Sequence, residues 1–351
     1  MINFTDSICQ GHLEGLEFNR NSYIIGLGVN YKNGADGTTT GLASKFPMRL
    51  LDTPVSEAAV TGMCVGMAAS GMSPIVHHGR VEFALLAMDQ ILTQAAKWNF
   101  MFGGDYPCPF GARLNIGRQW GNGPQHTSSY NSLFLNTPGL DVFWPSRPSE
   151  AYFFTSELHK IESPTLQMEH RWLFKTFDLI KNAPKIDKVP SASLYEAPTN
   201  KNVIITYGDG LVEALKVKEA IQDTDISVIC LTSFCGTRIL PNDIIEIISS
   251  AKNLILLDTS NFEFGLLQAL TGKLAIDCKL PKNIIKIAPP FTPVATAANL
   301  VKNYYPTSPE ICKILNKNEI TECTMVDYDF DQINLPPTFD FSQWQPKYFQ
   351  S

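Results

Sequence analysis

At 351 residues the chain is about twice the length of a typical single domain, which excludes a small disulfide-stapled scaffold and points to two domains with generous cores. Hydrophobic residues make up 44% and charged ones 18%, a balance that excludes extended disorder except at the ends. Lys and Arg total 28 against 34 Asp and Glu, a formal charge of -6, so no basic field exists to draw in nucleic acid or anionic lipid, and neither partner is expected.

In chain order, Met1-Ile2-Asn3-Phe4-Thr5-Asp6 lacks the basic start and apolar core of a secretion signal, so a cytoplasmic protein is expected. Short apolar runs at Ser22 to Leu27, Arg49 to Leu51, Pro74 to His77, Pro109 to Leu114, Asp141 to Trp144 and Thr165 to Met168 read as strands. Helices fit between them. Ser56 can cap one running to Ala69 with Gly71 as its stop; Val81 to Phe100 predicts a long amphipathic helix ended by Gly103-Gly104; Ser149 can cap another through Lys160. The weakly polar run Ala58 to Met72 is too short to span a bilayer and is broken by Gly62, Gly66 and Gly71, so no membrane span is expected. Strands alternating with helices predict an α/β protein whose mostly parallel sheet is covered on both faces and gathers ligands at the strand ends.

The pattern lapses after Lys175, and Pro184, Pro190 and Pro198 mark 184–201 as a linker after a first domain of residues 1–183. A second α/β domain over 202–317 restarts with strands at Val203 to Tyr207, Ile226 to Leu231, Leu254 to Asp258 and Ile284 to Ile287. Helical stretches at Gly210 to Ile221, Asp243 to Ala251 and Phe264 to Leu274 separate them. Residues 318–351 are acidic and aromatic with Pro336-Pro337, cannot build a core of their own, and are expected to lie on a surface. Of the eight cysteines only Cys230 and Cys235 lie close together, without the spacing of a zinc site, so reduced thiols are expected.

The most informative segment is Leu51-Asp52-Thr53-Pro54-Val55-Ser56-Glu57, where a strand ends, a proline turns the chain and a carboxylate falls in the first turn of an apolar helix. A glutamate there can simply complement the helix dipole. The twelve positions that follow it carry no charge, however, which places the carboxylate in a dry setting where its proton affinity is tunable.

The runs D-T-P-V-S-E-A-A-V-T-G-M-C-V-G-M-A-A-S-G-M-S-P-I from Asp52, F-A-L-L-A-M-D-Q-I-L-T-Q-A-A-K from Phe83, M-F-G-G, R-L-N-I-G, G-P-Q-H-T-S and T-P-G-L-D-V-F-W-P-S resemble the β subunit of thiamine-diphosphate-dependent 2-oxo acid dehydrogenases. Pyruvate and branched-chain components are the nearest types. The likeness covers about residues 20 to 170 nearly without gaps and continues more weakly to about 315. It implies a transketolase-like pyrimidine-binding domain followed by a transketolase C-terminal domain.

By that resemblance Glu57 matches the family's activating glutamate, which hydrogen-bonds a ring nitrogen of the cofactor's aminopyrimidine. Phe83 matches the aromatic residue that stacks on the pyrimidine; read alone, it is as well a core residue on a helix with Leu86, Met88 and Ile91. His126 matches the active-site histidine near the substrate, suited to proton transfer or orientation, where a loop histidine is otherwise often merely solvated. His77 and His78 adjoin a strand end near the same pocket, and their role stays open. Gly208-Asp209-Gly210 starts like the thiamine diphosphate metal motif, but no Asn pair follows, and a strand-to-helix turn is preferred. The resemblance therefore implies the pyrimidine half of a cofactor site. An α-type subunit would hold diphosphate and Mg²⁺ in an α2β2 heterotetramer, with a lipoyl-carrier acyltransferase as a further partner, and no metal is expected on this chain.

The chain departs from the family in places. Gly26-Leu27-Gly28-Val29 replaces an acidic Gly-Glu-Glu/Asp-Val, Thr40 stands for the arginine before Gly-Leu, Cys230-Leu231-Thr232-Ser233 stands for Asp-Leu-Arg-Thr, and Ile161 for an aspartate that helps bind potassium. These departures keep two alternatives open: a split transketolase-like transferase moving an acyl or ketol unit to an aldehyde, and a degenerate regulatory subunit, against which the joint presence of Glu57, Phe83 and His126 argues.

Overall fold

A computed structural model describes residues 1–118, 122–186, 189–221, 225–234 and 240–350; Gly121 and Cys235 lie outside the described residues. Two sheets organise the chain. The first holds β1 (Ser22–Gly26), β2 (Leu50–Leu51), β3 (Ser73–His78), β4 (Gly111–Ile116), β5 (Asp141–Phe143) and β6 (Thr165–His170), all parallel, as expected of apolar runs buried on both faces. The second holds β7 (Ala192–Tyr195), β8 (Asn202–Tyr207), β9 (Ile226–Leu231), β11 (Asn253–Leu257), β12 (Asn283–Ile287) and β13 (Lys347–Phe349). Between them in sequence, β10 (Ser233–Phe234) crosses back and pairs with β5. The strand orders are β10-β5-β6-β4-β3-β1-β2 and β12-β11-β8-β9-β7-β13. The largest hydrophobic cluster among the described residues runs through both sheets. Trp144, 1% exposed after β5, meets Tyr207 of β8 edge to face at 4.9 Å between ring centres.

Four expectations need correction. The linker 184–201 contains β7, buried and antiparallel to β9, because Leu194 packs into the core shared by both sheets and Tyr195 into a second cluster with Phe341. The tail 318–351 does not merely lie on a surface: β13 extends the second sheet beyond β7, and Phe341 is fully buried. The helix expected over Val81 to Phe100 is broken into Val81–Ala84, a 3-10 turn Leu85–Ala87, a π turn Asp89–Ala95 and Ala96–Met101. In the π turn the Thr93 hydroxyl donates to the Asp89 carbonyl at 2.7 Å and so competes for the helical acceptor. Reduced thiols hold for Cys9, Cys64, Cys108, Cys230 and Cys278, whereas Cys312 and Cys323 form a disulfide. The tail folds back on the helix Ser308–Lys317, where the Asn316 side chain bonds the backbone of Cys323 on both sides, at 2.6 and 2.8 Å.

The tail is pinned by one buried cation. Arg147, fully buried at the start of the helix Pro148–Glu157, pairs with Asp178 at 2.7 Å and donates to the Tyr195 hydroxyl and to the carbonyls of Trp344 and Phe341 at 3.1, 2.9 and 3.1 Å. Arg147→Leu strands the Asp178 charge and several acceptors, so we expect a loss of about 3–5 kcal/mol and earlier proteolysis of the tail. Urea unfolding measures it, and a loss below about 1 kcal/mol would contradict this assignment.

Candidate functional site

A cavity of about 290 Å³ opens at the carboxyl ends of β1 and β3, where ligands gather in open parallel sheets. Its walls include Gly26, Leu27, Pro54, Glu57, His77, His78 and Phe83. The local sequence builds this shape. At Gly26, φ is +153° and a Cβ would lie 2.6 Å from the His77 carbonyl oxygen, so only glycine lets β1 turn away over β3. Asp52 then accepts the Gly28 and Thr53 amides at 2.8 and 3.0 Å, which ties the loop after β1 to the turn leading into the helix Glu57–Ala69.

Glu57 opens that helix, half-buried, and makes no hydrogen bond or ion pair among the described residues. Ser56 stands at the cap position, but its hydroxyl makes no capping bond. The following Ala58 and Ala59 are exposed and Val55 is 77% exposed, so this chain alone does not provide the dry setting expected around the carboxylate.

Phe83 is 39% exposed and presents its ring to the cavity. His126, on the 3-10 turn Pro124–His126, is not among the cavity's walls; its ring packs on Phe83 with centres 5.5 Å apart, and its Nδ1 is buried without a partner. The Ser128 amide donates to Glu82 at 2.9 Å, holding this loop against the helical turn of Phe83. Glu57 and Phe83 thus share one cavity, and His126 borders it through Phe83.

His77 and His78 form the cavity's floor, each 5% exposed. Burial, reinforced by the Arg113 charge, holds His77 well below the usual imidazole range, and burial brings His78 down to about 4. Both are therefore neutral at pH 7. His78 Nε2 lies 3.2 Å from the Thr61 hydroxyl, while His77 Nδ1 is an orphan.

A second group of residues escaped the sequence reading. β3 and β4 each end in Gly-Arg, giving Arg80 and Arg118, and β6 runs into Arg171. Arg118 lies between Trp172 and Tyr305 and is 3.7 Å from Asp209, which accepts from Thr259 and lies 3.3 Å from His170. Gly117 makes the approach possible, since a Cβ there would fall 2.1 Å from the His170 ring. The repeated strand-Gly-Arg is the signal that could have found them. Asp209 itself sits in a strand-to-helix turn before Gly210–Ile221.

Residues 15–175 match the family described as the transketolase pyrimidine-binding domain. The chain is 27% identical over 316 residues to the β subunit of acetoin:2,6-dichlorophenolindophenol oxidoreductase of Cupriavidus necator, covering 86% of this chain and 93% of that protein. It is 27% identical over 322 residues to the β subunit of 2-oxoisovalerate dehydrogenase of Bacillus subtilis, covering 88% and 96%. Similarity to the mitochondrial pyruvate dehydrogenase E1 β subunit of Saccharomyces cerevisiae is 26% over 315 residues, covering 87% and 85%. Among solved structures, a split-gene transketolase in an inactive β4 tetramer superposes with a TM-score of 0.69 at 16% identity, over 89% of this chain and 97% of that one, which shows a shared fold.

Proposed function

We propose that the chain, which carries a transketolase pyrimidine-binding domain and resembles the β subunits of thiamine-diphosphate-dependent 2-oxo acid dehydrogenases, is such a subunit, and that its cavity is the pyrimidine half of a cofactor site that an α-type subunit completes. The observation that carries this reading is the sharing of one cavity by the unpartnered carboxylate of Glu57 and the exposed face of Phe83. The fit is partial in the expected way. About 290 Å³ lies at the lower end of the roughly 300–1,000 Å³ of small-molecule sites and has room for one flat heterocycle. The walls offer a carboxylate and two neutral imidazoles rather than the cations that a diphosphate needs. Exposed Leu27 and Val55 on the rim support a covering partner.

When bound, thiamine diphosphate supplies a nucleophilic carbon and an electron sink for decarboxylation. Glu57 holds a proton against a pyrimidine ring nitrogen, and Phe83 stacks on the ring and fixes its plane. His126, with Nδ1 unpartnered beside Phe83, orients the 2-oxo acid and moves a proton at its carbonyl. The partner would hold diphosphate and Mg²⁺ within an α2β2 assembly, and a lipoyl carrier would be the acceptor for the acyl group. Calorimetry tests the division of labour. Thiamine diphosphate with Mg²⁺ should bind the isolated chain at least about tenfold more weakly than the assembled complex, and equally tight binding without a partner would overturn the half-site.

A further inference from the structure

Beside the cavity of Glu57 and Phe83, two further cavities of about 480 and 340 Å³ lie where the loop after β4 faces residues 259–261 and 291–305. Arg118, Thr127, Val294 and Tyr305 wall both. Arg118 is only 6% exposed, and its Nε is buried without a hydrogen-bond partner. Trp172 and Tyr305 face the guanidinium at 3.9 and 4.3 Å, which fixes its plane. The nearest carboxylate is Asp209, whose Oδ2, itself without a hydrogen-bond partner, lies 3.7 Å from Arg118 Nε, too far for a hydrogen bond, while Thr259 and His170 engage its Oδ1. The Tyr305 hydroxyl is likewise buried without a partner. Two buried donors without acceptors, at the wall of a cavity, are costly unless a ligand supplies acceptor oxygens.

We propose that Arg118 and Tyr305 form an anion site that takes a carboxylate or phosphate group. Ser128, Ser129 and Asn261 on the same walls provide neutral donors for the rest of the ligand. Thr127 reaches this cleft while His126, its neighbour in the chain, touches Phe83. A substrate with its reacting carbonyl at His126 can therefore extend a second acidic group to Arg118. That the anion belongs to the substrate rests on the cofactor reading above; the anion site itself does not.

The test uses the full chain without cofactor. Inorganic phosphate, malonate and, as a neutral control, glycerol are titrated while tryptophan fluorescence is followed, with Trp172→Phe showing that the response comes from the ring on Arg118. Saturable binding of phosphate or malonate is expected, weakened at least about tenfold by Arg118→Leu and less by Tyr305→Phe, which removes one hydroxyl and should fold normally. Tighter phosphate binding identifies a phosphorylated ligand, and tighter malonate binding a carboxylate. No saturable response to either anion, anion binding unchanged in both variants, or glycerol binding as well as the anions overturns the site. In the assembled enzyme, Arg118→Leu should raise KM for a 2-oxo acid with a second acidic group far more than KM for pyruvate, and an equal rise for both would remove the substrate assignment. Anion binding without cofactor-dependent turnover would remove the cofactor reading alone, and turnover without anion binding would remove this proposal alone.

Discussion

Glu57→Gln in the assembled enzyme is expected to reduce turnover by about 10²–10⁴-fold while leaving assembly and stability nearly unchanged. The amide keeps the size and polarity of the carboxylate but cannot hold a proton against a ring nitrogen and give it back. Stability should hardly respond, because Glu57 is half-buried and has no hydrogen bond or ion pair among the described residues. The remaining contribution is its charge at a helix start, worth about 0.3–1 kcal/mol. Dye-linked oxidation of 2-oxo acids with thiamine diphosphate and the α-type partner measures the first effect, and urea unfolding the second. Wild-type turnover in this variant would sink the central assignment. Lost turnover together with lost assembly would instead make Glu57 a structural residue.

The second large effect is a loss of stability in mild acid. Burial, its largest cause in each case, depresses His12, His77, His78, His159 and His170. His12, His159 and Ser22 form a chain under the first sheet, with His12 3.0 Å from Arg113, itself paired with Glu169 at 2.6 Å. Below pH 6.5 the unfolded chain takes up protons that these folded imidazoles refuse. Their stabilisation is complete above 6.5 and is lost as pH falls toward the folded values, about 4 for His78 and about 3 for His159. His78 alone accounts for about 3 kcal/mol over that range.

Two buried carboxyls act in the opposite sense. Burial raises Glu150 to about 7 and Asp258 to about 6, so each holds a proton in the folded state that the unfolded chain releases, and each gains stability as pH falls. Each offsets about one histidine. Three histidines remain uncompensated, and the melting temperature should be level above pH 7 and fall steeply between 6.5 and 5. Calorimetric scans across that interval check it, and a level or rising melting temperature would show that the histidines accept protons in place.

Which parts were legible follows from what local pattern encodes. The parallel strands read directly because both of their faces are buried, so Ile226–Leu231 is an apolar run broken only by Ser227. β7 did not, because its four residues lie among prolines and become a strand only when β9 offers an edge. The tail misled for the same reason: its acidic, proline-containing composition is that of a surface segment, and the donors that hold its carbonyls, Arg147 and Asn182 among them, lie far away in sequence. At the site, Glu57 and Phe83 were singled out by motifs within single elements. Arg118 was not, since its significance lies in Trp172, Asp209 and Tyr305, which arrive from three other segments.

The position of β13 also bears on how the protein is made. Chains leave the ribosome from the N-terminus at about 5–20 residues per second, and early domains ordinarily fold before later ones appear. Here the first sheet takes its edge strand from β10, and the second takes its edge from residues 347–349. Arg147, laid down nearly two hundred residues earlier, finds the Trp344 carbonyl only then. Neither sheet can be finished during translation of its own segment, so the nascent chain carries an unpaired edge on β7 from the time that strand is made until almost the last residues appear. Strand capture by chaperones, or by a second nascent copy, is the hazard this order creates.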